Sequence, residues 1–137
     1  MRNTKIVLFE LMLCLLVIYG IFILNKKANE KNEMQNTQNK IIAELIDAIL
    51  LELIMNDKGI EINTSGLRYG LPYPHPNIEI IKRYKELGGK IITIGSDAHN
   101  SDDLAKDFDL VYDILRSLNI KEIAVFHNRI PDFICIK

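Results

Sequence analysis

A chain of 137 residues allows one domain with a moderate core, and a composition of 48% hydrophobic and 26% charged residues is that of an ordinary globular protein. The formal net charge of -1 provides no basic field for nucleic acid, so nucleic-acid binding is not expected. Cys14 and Cys135 lie at opposite ends of the chain with no metal-binding spacing, which argues against a zinc knuckle or a disulfide framework and favours a reducing compartment such as the cytoplasm.

The first predicted element is the apolar run from Ile6 to Leu24, nineteen residues in which Glu10 is the only charge. As a helix rising about 1.5 Å per residue it would cross roughly 28 Å of hydrocarbon, so residues 1–24 could be a membrane anchor. The alternative is a buried strand that leads into a helix, because strands of parallel sheets are apolar on both faces. The residues alone leave both interpretations open.

Residues 25–39 are rich in Asn, Lys, Gln and Glu and have no apolar period, which predicts a solvent-exposed loop. A helix is predicted to follow from about Gln38 to Met55, with Thr37 as its cap. Gly59 is expected to end this helix in the left-handed conformation.

Three predicted strands start near Ile60, Lys90 and Lys121, about thirty residues apart, with one helix between each pair. The alternation predicts an α/β fold with a parallel sheet and crossover helices. The second of these helices should begin at Ser101 and bury Leu104, and Cys135 should be a buried apolar filler. In such folds the catalytic and binding residues lie at the C-terminal ends of the strands. Here that edge of the sheet, or rim, would contain Asn63, Ser96 to His99 and His127.

The clearest candidate site follows the second of these strands, where the segment Ile94-Gly95-Ser96-Asp97-Ala98-His99 places an acid and an imidazole two positions apart. On extended backbone Asp97 and His99 point to the same side and can reach one ion, and Zn, Mn or Fe accept this pair of ligands. The alternative is a turn in which Asp97 caps the following backbone and His99 is exposed. Arg68, after the first of these strands, either holds phosphate through paired hydrogen bonds or is a surface arginine.

Several segments keep a recognisable order and spacing: Gly59 to Arg68, Pro76-Asn77, Leu87-Gly88-Gly89, Ile94 to His99, and Phe126 with Arg129 and Pro131. Together, over about residues 40–137, they resemble the C-terminal part of histidinol-phosphatases of the polymerase-and-histidinol-phosphatase (PHP) family. The resemblance implies a distorted βα barrel, a cluster of divalent metal ions (Zn, Mn or Fe) and hydrolysis of histidinol phosphate in histidine biosynthesis. It also implies that Asp97 and His99 are metal ligands of the family's last motif, and that Arg68 contacts the substrate phosphate.

The chain departs from the family in its ligand set. Its three histidines are His75, His99 and His127, and the His-x-His strand with which the family opens is missing. If Tyr19-Gly20 matches the family's Tyr-Gly, two ligand positions fall on residues 12 and 14, which are Met and Cys. The apolar run would then be a decayed barrel strand.

Size points the same way, because a closed βα barrel typically needs roughly 250 residues. We therefore expect about half a barrel in residues 40–137, a truncated or degenerate phosphatase with little activity alone. Such a chain should self-associate or need a missing N-terminal half, because it exposes an unpaired strand edge and apolar helix faces. The alternatives are a non-catalytic remnant, half of a split enzyme, or a membrane-anchored module that uses residues 6–24.

Overall fold

The computed structural model describes the backbone of residues 4–136 and the side chains of residues 16–136. In chain order the elements are α1 (Thr4–Met55), β1 (Ile60–Asn63), α2 (Ser65–Arg68), α3 (Ile78–Glu86), β2 (Ile92–Gly95), a 3-10 turn (Ser101–Asp103), α4 (Phe108–Ser117), β3 (Glu122–His127) and β4 (Ile130–Cys135). The chain divides into two compact units, one ending at Ala43 and the other beginning at Glu44.

The N-terminal unit is helical where the sequence predicts a loop. Residues 25–39 belong to α1, since Lys, Glu and Gln have good helix propensity and no glycine or proline interrupts them. Lys26 Nζ lies 4.0 Å from Glu30 Oε1, one helical turn away. Thr37 does not cap a new helix, because it lies inside α1 and its hydroxyl donates to Glu33 O at 2.9 Å.

The apolar run at the start of the chain is also helical rather than extended. A helix satisfies its own backbone hydrogen bonds, whereas a strand requires a neighbour. The side chains of residues 6–15, about half of the predicted anchor, lie outside the described part of the structure. Within the part that is described, no helix combines the length and the apolar character needed to span a membrane.

The second unit begins with the last turns of α1, which end at Met55 as predicted. The left-handed residue after the helix is Asp57 (φ 51°) and not Gly59. Gly59 is needed for a different reason, because a Cβ there would lie 2.3 Å from the backbone oxygen of Ile91. The close approach lets Ile60 N donate to Ile91 O at 3.1 Å, where the pairing of β1 with β2 begins.

β1 and β2 form a two-stranded parallel sheet whose register runs from Ile60 opposite Ile92 to Asn63 opposite Gly95. α3 connects them, and its cap is Asn77, which accepts a hydrogen bond from Ile80 N at 3.2 Å. The predicted strand, helix and strand are therefore present. The core that packs around them consists of Leu50, Ile62, Ile81, Tyr84, Ile92, Val111 and Leu115.

The third predicted strand does not extend the parallel sheet. β3 pairs with β4 in an antiparallel hairpin, from Glu122 opposite Cys135 to His127 opposite Ile130. Asn128 and Arg129 both have positive φ (52° and 67°), the pattern of a type I′ turn, which closes a hairpin locally. The described residues thus form a mixed α/β fold with a two-stranded parallel sheet and a hairpin, and the predicted half barrel is wrong.

Two residues predicted to be buried are exposed. Leu104 is 75% exposed, because the helix expected from Ser101 is interrupted after one 3-10 turn by Ala105 and Asp107, both with positive φ. Cys135 is exposed and is a free thiol, and it pairs with Glu122 at the end of the hairpin away from the turn. The spacing of apolar residues correctly predicted the buried face of α4, which contains Val111 and Leu115.

Candidate functional site

The C-terminal ends of β1 and β2 meet at a rim, which we define as residues Asn63 to Arg68 and Gly95 to Asp103. Thr64 N donates to the carbonyl oxygen of Gly95 at 2.8 Å, which extends the strand pairing by one bond. The Thr64 hydroxyl is buried and donates to Lys106 O at 2.8 Å. Ser96 is also buried, and its hydroxyl accepts a hydrogen bond from Ala105 N at 3.2 Å. These bonds tie the loop before α4 to both strand ends.

Arg68, at the end of α2, reaches across the rim to the loop after β2. Its Nη1 donates to Ser96 O at 3.1 Å and its Nη2 donates to Asp97 O at 3.0 Å. Its Nε lies 3.8 Å from Asp103 Oδ2, and the side chain is 18% exposed. Arg68 is therefore not a free surface arginine. It clamps two consecutive carbonyl groups of the loop that carries the predicted metal ligands.

Asp103 is the buried acid of the rim. Asn100 supports it, because Asn100 Nδ2 donates to Asp103 Oδ2 at 2.8 Å and Asn100 Oδ1 accepts from Asp103 N at 3.1 Å. Burial raises the pKa of Asp103, but hydrogen bonds from Lys106 and Asn100 and the positive charge of Arg68 outweigh it, so the net pKa lies below the usual value. The carboxylate is thus held ionised beside Arg68.

Asp97 and His99 lie together in the loop after β2, and both are exposed. Asp97 has a positive φ of 50°, a left-handed conformation that Asp tolerates better than most residues. His99 Nδ1 lies 2.9 Å from Asp97 O. Since a carbonyl oxygen only accepts, a neutral His99 must carry its hydrogen on Nδ1, which leaves the lone pair of Nε2 for a ligand.

The described residues do not complete a metal centre. Across residues 16–136, no group of three His, Cys, Asp or Glu side chains is arranged to hold a metal ion. Asp97 and His99 have the donor chemistry of a Zn, Mn or Fe site, but such sites take three or four protein ligands. These residues alone therefore do not fit the metal cluster that the family resemblance implies.

The other two histidines are not placed as metal ligands in the rim. The His75 backbone pairs with Asn63, with N to O distances of 2.7 and 2.9 Å, and its ring lies against Gly66, where a Cβ would be 3.0 Å from Cδ2. His127 was expected at the rim. Phe126 instead lines a cavity with Gly59, which precedes β1, so the C-terminal end of β3 lies at the opposite end of the parallel strands.

Sequence reasoning placed Ser96 at the rim without predicting its burial, and it did not assign Thr64 or Asp103 to the rim, where both are also buried. Thr64 and Ser96 each come directly after a strand, which was an available signal. Asp103 was taken for an acid in the first turn of a helix, and nothing in its local pattern distinguishes it from Asp102. Its ion pair with Arg68 joins residues that are 35 positions apart in the chain, which no local pattern indicates.

No protein-family profile matches the chain. The chain is 41% identical over 83 residues to a probable histidinol-phosphatase of Thermotoga maritima, in an alignment covering 60% of this chain and 35% of that protein. It is 33% identical over 81 residues to a probable histidinol-phosphatase of Clostridium acetobutylicum, covering 59% of this chain and 31% of that protein. The chain thus spans about a third of the length of the curated relatives it matches, and it shares a partial resemblance with probable histidinol-phosphatases.

Proposed function

We propose that this chain is a partial histidinol-phosphatase of the PHP type, the C-terminal part of a metal-dependent phosphomonoester hydrolase, with little activity alone. The observation that carries the proposal is the 41% identity over 83 residues to the Thermotoga maritima protein. The arrangement of the rim supports it, because Arg68 comes from a different segment than Asp97 and His99, and both Arg68 and His99 form hydrogen bonds to the carbonyl oxygen of Asp97.

In this proposal Arg68 contacts the phosphate of histidinol phosphate. A guanidinium has five N–H groups, and the bonds to Ser96 O and Asp97 O use one on each terminal nitrogen. Nε faces Asp103, so the second N–H group of each terminal nitrogen is the one that can donate to phosphate oxygens. Arg68 therefore has two roles, holding the loop after β2 and binding the phosphate.

The Asp97 carboxylate and the Nε2 of His99 are proposed as two ligands of a divalent metal. The further ligands lie outside the described residues, and a second polypeptide could supply them. Without them the chain is a non-catalytic remnant or half of a split enzyme. That alternative is favoured by the lack of a third ligand within residues 16–136.

The test is release of phosphate from histidinol phosphate by the full chain with added manganese or zinc. We expect little or no turnover from the chain alone. Adding the part of the Thermotoga maritima protein that lies outside the alignment should produce turnover that EDTA abolishes. Asp97→Asn should remove this turnover. Asp107→Asn is the matched control, because Asp107 is also exposed with a positive φ (62°) but lies outside the rim.

Two results would count against the proposal. Failure to produce turnover in any combination would favour the non-catalytic remnant. Turnover by the chain alone, lost on Asp97→Asn, would show that the site is complete without a partner.

A further inference from the structure

We propose that the second unit binds a small organic anion with a planar apolar group in a cavity at the N-terminal ends of β1 and β2. The cavity lies at the opposite end of these strands from the rim. The proposal therefore does not rest on the proposed phosphatase function.

The cavity has a volume of about 650 Å³. Pockets for small ligands commonly have volumes of about 300–1,000 Å³. Lys58 and Lys90 line it where the chain enters β1 and β2, and Arg129 lines it from the tip of the hairpin. Asp57 is the one acidic residue in the lining, so three cations and one carboxylate give a local charge of +2. The chain as a whole carries a net charge of -1, so this positive charge is concentrated locally.

The three cations are not engaged by protein partners. Within the described residues, the side chains of Lys58, Lys90 and Arg129 form no hydrogen bond or ion pair. By contrast, Arg83 forms a two-point ion pair with Asp47, with N to O distances of 2.6 and 2.7 Å. Like charges around one cavity repel each other, and a bound anion would offset that repulsion.

Aromatic rings form the apolar part of the lining. Phe126 and Phe133 come from β3 and β4, and the hairpin register puts them on the same face. Although both line the cavity, they remain 47% and 42% exposed. Tyr84 forms part of the lining and is fixed by its hydroxyl, which donates to Lys58 O at 3.3 Å and to Ile91 O at 3.2 Å. Exposed phenylalanine rings beside cations suit a ligand with a flat apolar group attached to its anionic group.

The backbone conformation of Arg129 is a second, independent observation that supports an anion site. It occupies the second central position of the hairpin turn with φ 67°, where glycine is strongly preferred. A non-glycine residue in this conformation is strained. Arg129 lines the cavity, and anion binding gives that strained residue a role.

The experiment is titration of the full chain with phenylphosphonate by calorimetry, since a phosphonate cannot be hydrolysed by a phosphatase. Methylphosphonate supplies the charge without the ring, and benzyl alcohol supplies the ring without the charge. We expect saturable binding of phenylphosphonate, at least about tenfold tighter than either comparison compound. The double variant Lys90→Gln, Arg129→Gln should weaken binding by at least about tenfold.

Two control variants separate this cavity from other cationic positions. Lys82→Gln removes an exposed charge from α3 outside the cavity, and Arg68→Gln removes the cation of the rim. Lys82→Gln should not change the affinity for phenylphosphonate, and Arg68→Gln should leave in place the binding that the double variant weakens. Phe133→Leu should weaken phenylphosphonate and leave methylphosphonate unchanged. Lys90 and Arg129 are exposed, so the double variant should retain the circular dichroism of the unaltered chain.

The proposal is overturned if phenylphosphonate does not saturate. It is also overturned if Arg68→Gln abolishes binding while the double variant retains it, because the anion would then occupy the rim. Affinity equal to that of methylphosphonate would exclude the aromatic contact.

Discussion

Replacing Arg68 by methionine removes the clamp on the loop after β2 and keeps most of the apolar stem. The side chain donates to Ser96 O at 3.1 Å and to Asp97 O at 3.0 Å. A hydrogen bond from a charged donor contributes about 1.5–3 kcal/mol. Asp97 O keeps a bond from His99, so part of the loss is offset. We expect Arg68→Met to lower the free energy of unfolding by about 2–4 kcal/mol.

Arg68→Lys should recover only part of that loss, because one ammonium cannot reproduce the planar fork that holds both carbonyls. The control is Arg116→Met, since Arg116 forms an exposed ion pair with Asp113 on α4. Its effect should stay within about 0.5 kcal/mol.

Urea unfolding followed by tyrosine near-UV circular dichroism is a suitable assay, because four of the five tyrosines lie after residue 44. With a slope of about 2 kcal/mol per molar urea, Arg68→Met should move the midpoint down by roughly 1–2 M. Equal midpoints for Arg68→Met and Arg116→Met would refute the clamp.

Three further predictions concern the second unit. Thr64→Val leaves Lys106 O without its 2.8 Å donor and should cost about 1–3 kcal/mol in urea unfolding, whereas Thr93→Val should be nearly neutral. Gly59→Ala places a Cβ 2.3 Å from the backbone oxygen of Ile91. It should lower the thermal midpoint, because the alanine would strain the pairing of β1 with β2. The lowered pKa of Asp103 means that it stabilises the fold above its unfolded pKa, and that this contribution is lost as pH falls below about 4. Asp103→Asn should therefore flatten the acid limb of a stability-against-pH curve, and an unchanged limb would contradict this.

Local patterns predicted the strand, helix and strand from Ile60 to Gly95, because the spacing of apolar residues that separates strands from helices acts within a few residues. The polar stretch 25–39 was misjudged for a related reason. Its Lys, Glu and Gln residues are compatible with either a loop or an exposed helix, and the apolar period that usually separates the two is missing.

The partners of the strands could not be predicted in the same way. β3 has the composition expected of a third parallel strand, but Asn128 and Arg129 form a type I′ turn that pairs it with β4. Sequence reasoning named Arg68, Asp97 and His99, and the structure brings Arg68 and His99 onto the same carbonyl group of Asp97. It could not anticipate Asp103, since the ion pair of that acid with Arg68 joins residues that are distant in the chain.

The central claim is that the rim offers two metal ligands and needs others from elsewhere. The most direct test is the metal content of the purified full chain after dialysis against zinc or manganese, compared with Asp97→Asn and Asp107→Asn. We predict well below one ion per chain, with no difference among the three proteins. One or more ions per chain, lost on Asp97→Asn and retained on Asp107→Asn, would contradict that claim.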